Sequence, residues 1–146
     1  MNNILVSIDF DDITPLLLDK ARSFAEKFDA KIWLLHAAAP DPAFVGYDVG
    51  PQYIRDSRAE ELKQEHKKLQ EYRDQLLSEG LDADGLLIQG ATIDTIAEES
   101  RKLKIDMIIC GYHRQGFLYD LIFGSTSEEI LRKTEIPVLV VPLVND

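Results

Sequence analysis

The stretch Ile105-Asp106-Met107-Ile108-Ile109-Cys110-Gly111-Tyr112-His113-Arg114-Gln115-Gly116-Phe117-Leu118-Tyr119-Asp120-Leu121-Ile122-Phe123-Gly124-Ser125-Thr126-Ser127 changes character twice. Residues 105–110 form a near-continuous apolar run, which reads as a strand buried on both faces. A glycine-punctuated loop follows. Gly124-Ser125-Thr126-Ser127 then opens a helical pattern. A helix N-terminus presents unpaired N–H groups and the positive end of the helix dipole, and glycine lets an anion approach the backbone. Strand, glycine loop and hydroxyl-rich helix start together imply a phosphate-bearing ligand, most simply a nucleotide.

Outward from this stretch, the hydrophobic period switches repeatedly between strand and helix. Apolar runs at residues 3–9, 31–37, 84–89 and 137–141 add four strands. Thr14-Pro15 reads as an N-cap with proline at the first helical position. Leu17, Ala21, Phe24, Ala25 and Phe28 share one helical face. A charged helix is expected over residues 53–79, with Leu62, Leu69, Tyr72 and Leu76 inward and Gly80 as its stop. A short helix carries Ile93, Ile96, Ala97 and Leu103, and a last one covers residues 125–133. Residues 38–51, with three prolines and two glycines, read as a long loop. Five strands alternating with four helices predict one α/β domain over residues 1–146. Its sheet is mostly parallel and doubly wound, a Rossmann-like arrangement.

The formal net charge of −10 argues against non-specific binding to nucleic acid or an anionic membrane. No apolar run approaches the roughly 20 residues that span a bilayer. A strand pattern within three residues of the N-terminus leaves no room for a signal peptide, so a cytoplasmic location is expected. Cys110 is the single cysteine. Ending an apolar strand, it reads first as a small core residue and second as a reactive thiol. His36 ends a strand and reads as structural, His66 as solvated, and His113 as a loop residue. Their spacing gives no metal site. The charged run from Glu60 to Arg73 reads as a solvated helix face.

Doubly wound sheets bind ligands beyond the carboxyl ends of their strands, where strand order reverses. The candidates are therefore Ser7, Ile8 and Asp9 after the first strand, His36 and Ala37 after the second, Gln89 and Gly90 after the third, and Cys110 and Gly111 after the fourth. Asp9 suits sugar hydroxyls as an acceptor. Alternatively, Asp9, Asp11 and Asp12 cap the following helix.

The order of elements, this loop and the ending Ile136-Pro137-Val138-Leu139-Val140-Val141-Pro142 resemble the universal stress protein (UspA-like) family across essentially the whole chain. Its nucleotide-binding branch carries Gly, two residues, Gly, nine residues, then Gly and Ser or Thr. Gly111 matches the first position and Gly124-Ser125 the last. Arg114 stands where the middle glycine belongs, with Gly116 out of register; members carrying Gly-Ser-His-Arg here also resemble nucleotide binders. The resemblance implies phosphate contacts at Gly124, Ser125, Thr126 and Ser127, and places Asp9 near adenine and ribose. It sets Ser7 along the base and gives Ala37 a backbone contact to adenine. Cys110, Gly111 and Arg114 complete the implied set. Arginine offers a fork of donors to phosphate, or else adds bulk where the backbone would approach the ligand. Ser125 has a second reading, as the first residue of a Ser125-Thr126-Ser127-Glu128 capping box.

The implied ligand is ATP, or AMP, with Mg²⁺ beside the ATP phosphates. A response-regulator receiver shares the topology, but it needs a phosphoacceptor aspartate where this chain has Leu87-Ile88-Gln89-Gly90. The first strand lacks Gly-x-Gly-x-x-Gly, and no Walker A lysine is present. No nucleophile–base pair stands out, so catalytic residues are not expected and any ATP hydrolysis would be slow and incidental. A regulatory or sensing module is expected, with a nucleotide-free dimeric scaffold of the same family as the alternative. Either would form a homodimer through the apolar edge strand running from Val138 to Val141, with Pro142 limiting the ladder.

Overall fold

The computed structural model describes residues 1–38, 52–90, 92–114 and 130–144. In chain order these form β1 (Asn3–Ser7), α1 (Thr14–Phe28), β2 (Lys31–Ala38), α2 (Gln52–Ser78), β3 (Ala83–Gln89), α3 (Thr92–Lys102), β4 (Met107–Arg114) and β5 (Val138–Val144). Residues 130–133 are also helical. The strands build one sheet in the order β3-β2-β1-β4-β5, and every pairing is parallel.

The apolar runs explain why the sheet is buried on both faces. Side chains alternate across a strand. In β1, Ile4 and Val6 join Ile8, Leu17, Ala21, Leu69 and Leu76 in one cluster, which places α1 and α2 on that face. Leu5 points the other way, to a second cluster with Leu35, Ile96, Ile108 and Ile130, under α3 and the helical residues 130–133. Polar residues in β1 would have stranded buried groups on one face or the other, so continuous apolarity is what a two-sided sheet requires. The result is the α/β, doubly wound, parallel architecture read from the sequence.

Several boundaries move. β4 continues through Gly111, Tyr112, His113 and Arg114, which pair with Val141, Pro142, Leu143 and Val144. These four residues belong to the sheet rather than to the loop, because β5 supplies a partner ladder as far as they extend. Thr14 is not the N-cap of α1. Ile13 takes that position without a side-chain cap bond, while Thr14 is fully buried and its hydroxyl lies 3.4 Å from Asp11 Oδ1. Phe28 departs from the buried face of α1 and is half exposed. Ala38, expected to open the loop at 38–51, belongs to β2, and residues 39–51 lie outside the described residues.

The three long helices end alike. Asp29, Gly80 and Lys104 have φ of +53°, +85° and +53°. The next residue donates its N–H five positions back, Ala30 to Ala25, Leu81 to Leu76 and Ile105 to Ser100. This left-handed closure satisfies carbonyls that the helix end leaves open. Only Gly80 announced itself in the sequence.

Candidate functional site

β1 lies between β2 and β4. From β1 the chain winds outward through β2 and β3 along one face. It then crosses to β4, on the other side of β1, and winds outward to β5 along the opposite face. The helix after β1 and the helical residues 130–133 after β4 thus lie on opposite faces, so strand order reverses between the carboxyl ends of β1 and β4. This is the topological switch point.

The expected site residues fall around it unevenly. Ser7 ends β1, opposite Leu35, and Asp9 follows two residues later. Ala37 sits one strand over in β2, opposite Ile88. Cys110 and Gly111 lie in β4, opposite Val140 and Val141, and Arg114 ends that strand, opposite Val144. The Cys110 side chain is buried in the cluster beneath α3, the small-core-residue reading. The expectations for Gly124, Ser125, Thr126 and Ser127, including the capping box, fall outside the described residues.

The turn after β1 is held from both sides. The Ile8 N–H donates to Leu35 O at 2.9 Å. The Ile8 carbonyl accepts from His36 Nδ1 at 2.8 Å. A carbonyl can only accept, so that ring nitrogen carries the proton. Two residues on, Phe10 has φ of +59°, a left-handed conformation uncommon for a bulky side chain. Its ring lies 4.5 Å from the His36 ring and stacks on Tyr72 at 6.3 Å. Between these anchors the Asp9 side chain is 70% exposed, with Oδ1 3.7 Å from His36 Nδ1.

Sequence reasoning missed two members of this cluster. Glu65, which the charge pattern reads as a solvated helix residue, reaches in from α2 to bring Oε2 within 3.5 Å of His36 Nε2. That oxygen is buried and accepts no hydrogen bond. Phe10 stands between acidic neighbours, Asp9 and Asp11. The available signal was an aromatic residue inside an otherwise polar turn. His36 is structural, as expected, and His66 is exposed.

Gly111 serves packing. The space that a Cβ there would occupy is taken by Ile13 Cδ1, 2.7 Å away, so this packing admits no larger side chain without a shift. At the opposite, amino end of β4, Asp106 accepts the Asn2 and Asn3 N–H groups at 2.7 and 2.9 Å. These bonds hold its carboxyl below the usual carboxylate range. A surface recess lined by Ala97, Arg101, Lys133 and Glu135 also lies at the amino end, away from the switch point. Among the described residues no group of three or more His, Cys, Asp or Glu is arranged to hold a metal ion. No helix among them is long and apolar enough to cross a membrane.

A model of the universal stress protein family matches residues 1–142. The chain belongs to the universal stress protein family. Among curated relatives, the stress response protein NhaX of Bacillus subtilis is 33% identical over 104 residues, 71% of this chain and 59% of that protein. The universal stress protein A homolog of Haemophilus influenzae is 29% identical over 143 residues, covering 97% of this chain and 96% of that protein. Among solved structures, the universal stress fold described here resembles hypothetical protein MJ0577 with a TM-score of 0.78. That match has 23% identity and covers 99% of this chain and 98% of the other. A universal stress protein from Arabidopsis thaliana with AMP bound has a TM-score of 0.67 at 18% identity, over 100% and 94% of the two chains. One from Archaeoglobus fulgidus in complex with dAMP has a TM-score of 0.65 at 16% identity, over 97% and 98%.

Proposed function

We propose that this chain is a cytoplasmic regulatory module that binds an adenine nucleotide at the carboxyl ends of β1 and β4. The observation that carries the reading is Asp9, exposed between two anchored neighbours at the switch point of the sheet. Its carboxylate is placed to accept from sugar hydroxyls. Ser7 and Ala37 supply the adjoining strand ends, and the sequence pattern Gly124-Ser125-Thr126-Ser127, outside the described residues, is assigned to the phosphates as the family resemblance implies. The family relatives with AMP and dAMP support an adenine ligand. ATP with Mg²⁺ is the form proposed, because a chain of net charge −10 needs added positive charge beside a polyphosphate.

A second reading has its own observation. Arg114 replaces the middle glycine of the family loop, as in a scaffold that binds no nucleotide. Both readings share a homodimer formed through β5, which lies at the sheet edge.

Calorimetry with AMP and with Mg·ATP tests the first reading. Wild-type protein is expected to bind and Gly124→Val to lose binding. No binding by wild-type protein overturns the nucleotide reading, and equal binding by both overturns the placement of phosphate at Gly124. Arg114→Gly decides the departure: weaker binding marks a phosphate contact, tighter binding an obstacle.

A further inference from the structure

We propose that Phe10 is a positioning residue for nucleotide binding, and that its ring, wedged between His36 and Tyr72, sets the Cα–Cβ direction of Asp9. The affinity part of this inference rests on the nucleotide reading above; the conformational part does not.

The argument begins with the backbone. Phe10 adopts φ of +59°, where a side chain larger than that of glycine is disfavoured by roughly 1–2 kcal/mol. Such a conformation persists only if its surroundings hold it. Here the holding contacts are visible. The ring is half-buried and packs against the core cluster of α1 and α2. It leans on His36 at 4.5 Å, stacks nearly parallel on Tyr72 at 6.3 Å, and lies 6.0 Å below Lys68 Nζ. On the other side of Asp9, both backbone polar groups of Ile8 are bonded to β2 residues. One imidazole thus serves both anchors. Its Nδ1 fixes the Ile8 carbonyl, and its face supports Phe10.

Asp9 is left with pinned backbone on either side and a side chain that projects from the turn. A ligand then meets a side chain whose Cα–Cβ direction is already set, and binding loses less backbone conformational entropy. Glycine at position 10 would adopt the same φ without strain, but nothing would then select that φ over others. Phe10 therefore trades local strain for a single conformation of the turn.

The experiment combines AMP calorimetry with amide hydrogen exchange in the nucleotide-free protein. Phe10→Gly is expected to weaken AMP binding about tenfold, the scale of ordering one or two side chains, whereas Phe10→Tyr, which keeps the ring, stays within about twofold of wild type. In an Asp9→Ala background Phe10→Gly is expected to add no further loss, because its effect passes through Asp9. A full additional tenfold loss in that background overturns the proposal. Without nucleotide, Phe10→Gly is expected to speed exchange of the amides at residues 10–12. Tyr72→Ala, which removes the outer stacking partner at a distance from the turn, is expected to do the same should the glycine variant fail to fold. Unchanged exchange in the folded variants overturns the proposal. Absence of AMP binding by wild-type protein overturns the function proposed above, and exchange then decides the role of Phe10 alone.

Discussion

An ideal Cβ on Gly111 would lie 2.7 Å from Cδ1 and 3.1 Å from Cγ2 of Ile13. The first of these is closer than Cβ atoms approach, and both atoms belong to the residue that caps α1. The motif glycine in β4 is therefore required by the start of α1, whatever ligand binds nearby. This contact joins the two elements that border the switch point.

Gly111→Ala is expected to destabilise the protein by about 1–3 kcal/mol, the usual cost of overpacking a filled core. Ile13→Ala removes the opposing atoms, so Gly111→Ala should cost less in that background, with a coupling of about 0.5–3 kcal/mol. Urea denaturation of the four proteins measures it. Additive losses would show that Ile13 is not the obstacle.

The β5 edge yields a second expectation. Ile108 N–H donates to Pro137 O, and bonding direction alternates along a parallel ladder. The N–H groups of Leu139, Val141 and Leu143 therefore face β4, while Val138, Val140 and Pro142 face outward. Pro142 already lacks the donor on the free side. Val140→Pro should leave the fold intact but block strand addition, so that equilibrium sedimentation is expected to give a monomer for the variant and the proposed dimer for the wild type. Val141→Pro should destabilise the sheet itself. At the other edge, Gly85 N–H is already bonded to Asp84 Oδ1 at 3.0 Å, which favours β5 for association.

Asp106 links stability to pH. Two backbone N–H groups hold its folded carboxyl below the usual range, so the folded state binds the proton less readily than the unfolded chain. Its contribution is complete above the unfolded value, near pH 4, and disappears as pH falls through the lower folded value. Asp106→Asn should cost about 1 kcal/mol at pH 7, the scale of an exposed charge-assisted bond. The gap to wild type should narrow as pH drops towards 2. Thermal denaturation across that range measures it, and a constant gap would mean the carboxylate charge is not involved.

His36→Leu should remove the donor to Ile8 O and leave that carbonyl unsatisfied, at a cost of about 1–3 kcal/mol. The loss should appear in denaturant unfolding and in faster exchange near Ile8. A neutral substitution would show that water replaces the imidazole at no cost.

Much of this architecture was legible because its signals are local. The run Asn3-Ile4-Leu5-Val6 says that a strand is buried on both faces, and Gly80 says that a helix stops. Asp9 and Ala37 could be placed at strand ends by counting, whereas Gly111 lies inside β4 because β5 extends the ladder to Arg114. Phe10 and Glu65 could not. Their roles depend on His36, which stands in another strand, and on Tyr72, which is 62 positions from Phe10 in the chain. No period or composition brings such residues together.

By itself, the sequence determined the five strands, their order along the chain, their two-sided burial and the family to which they belong, because each follows from short-range pattern and motif spacing. Only the tertiary structure decided that β1 lies between β2 and β4, that β4 runs on to Arg114 beside β5, and that one imidazole braces both sides of Asp9. Strand neighbours, register and packing of distant side chains are set by the simultaneous fit of the whole core, which no segment of the chain contains on its own.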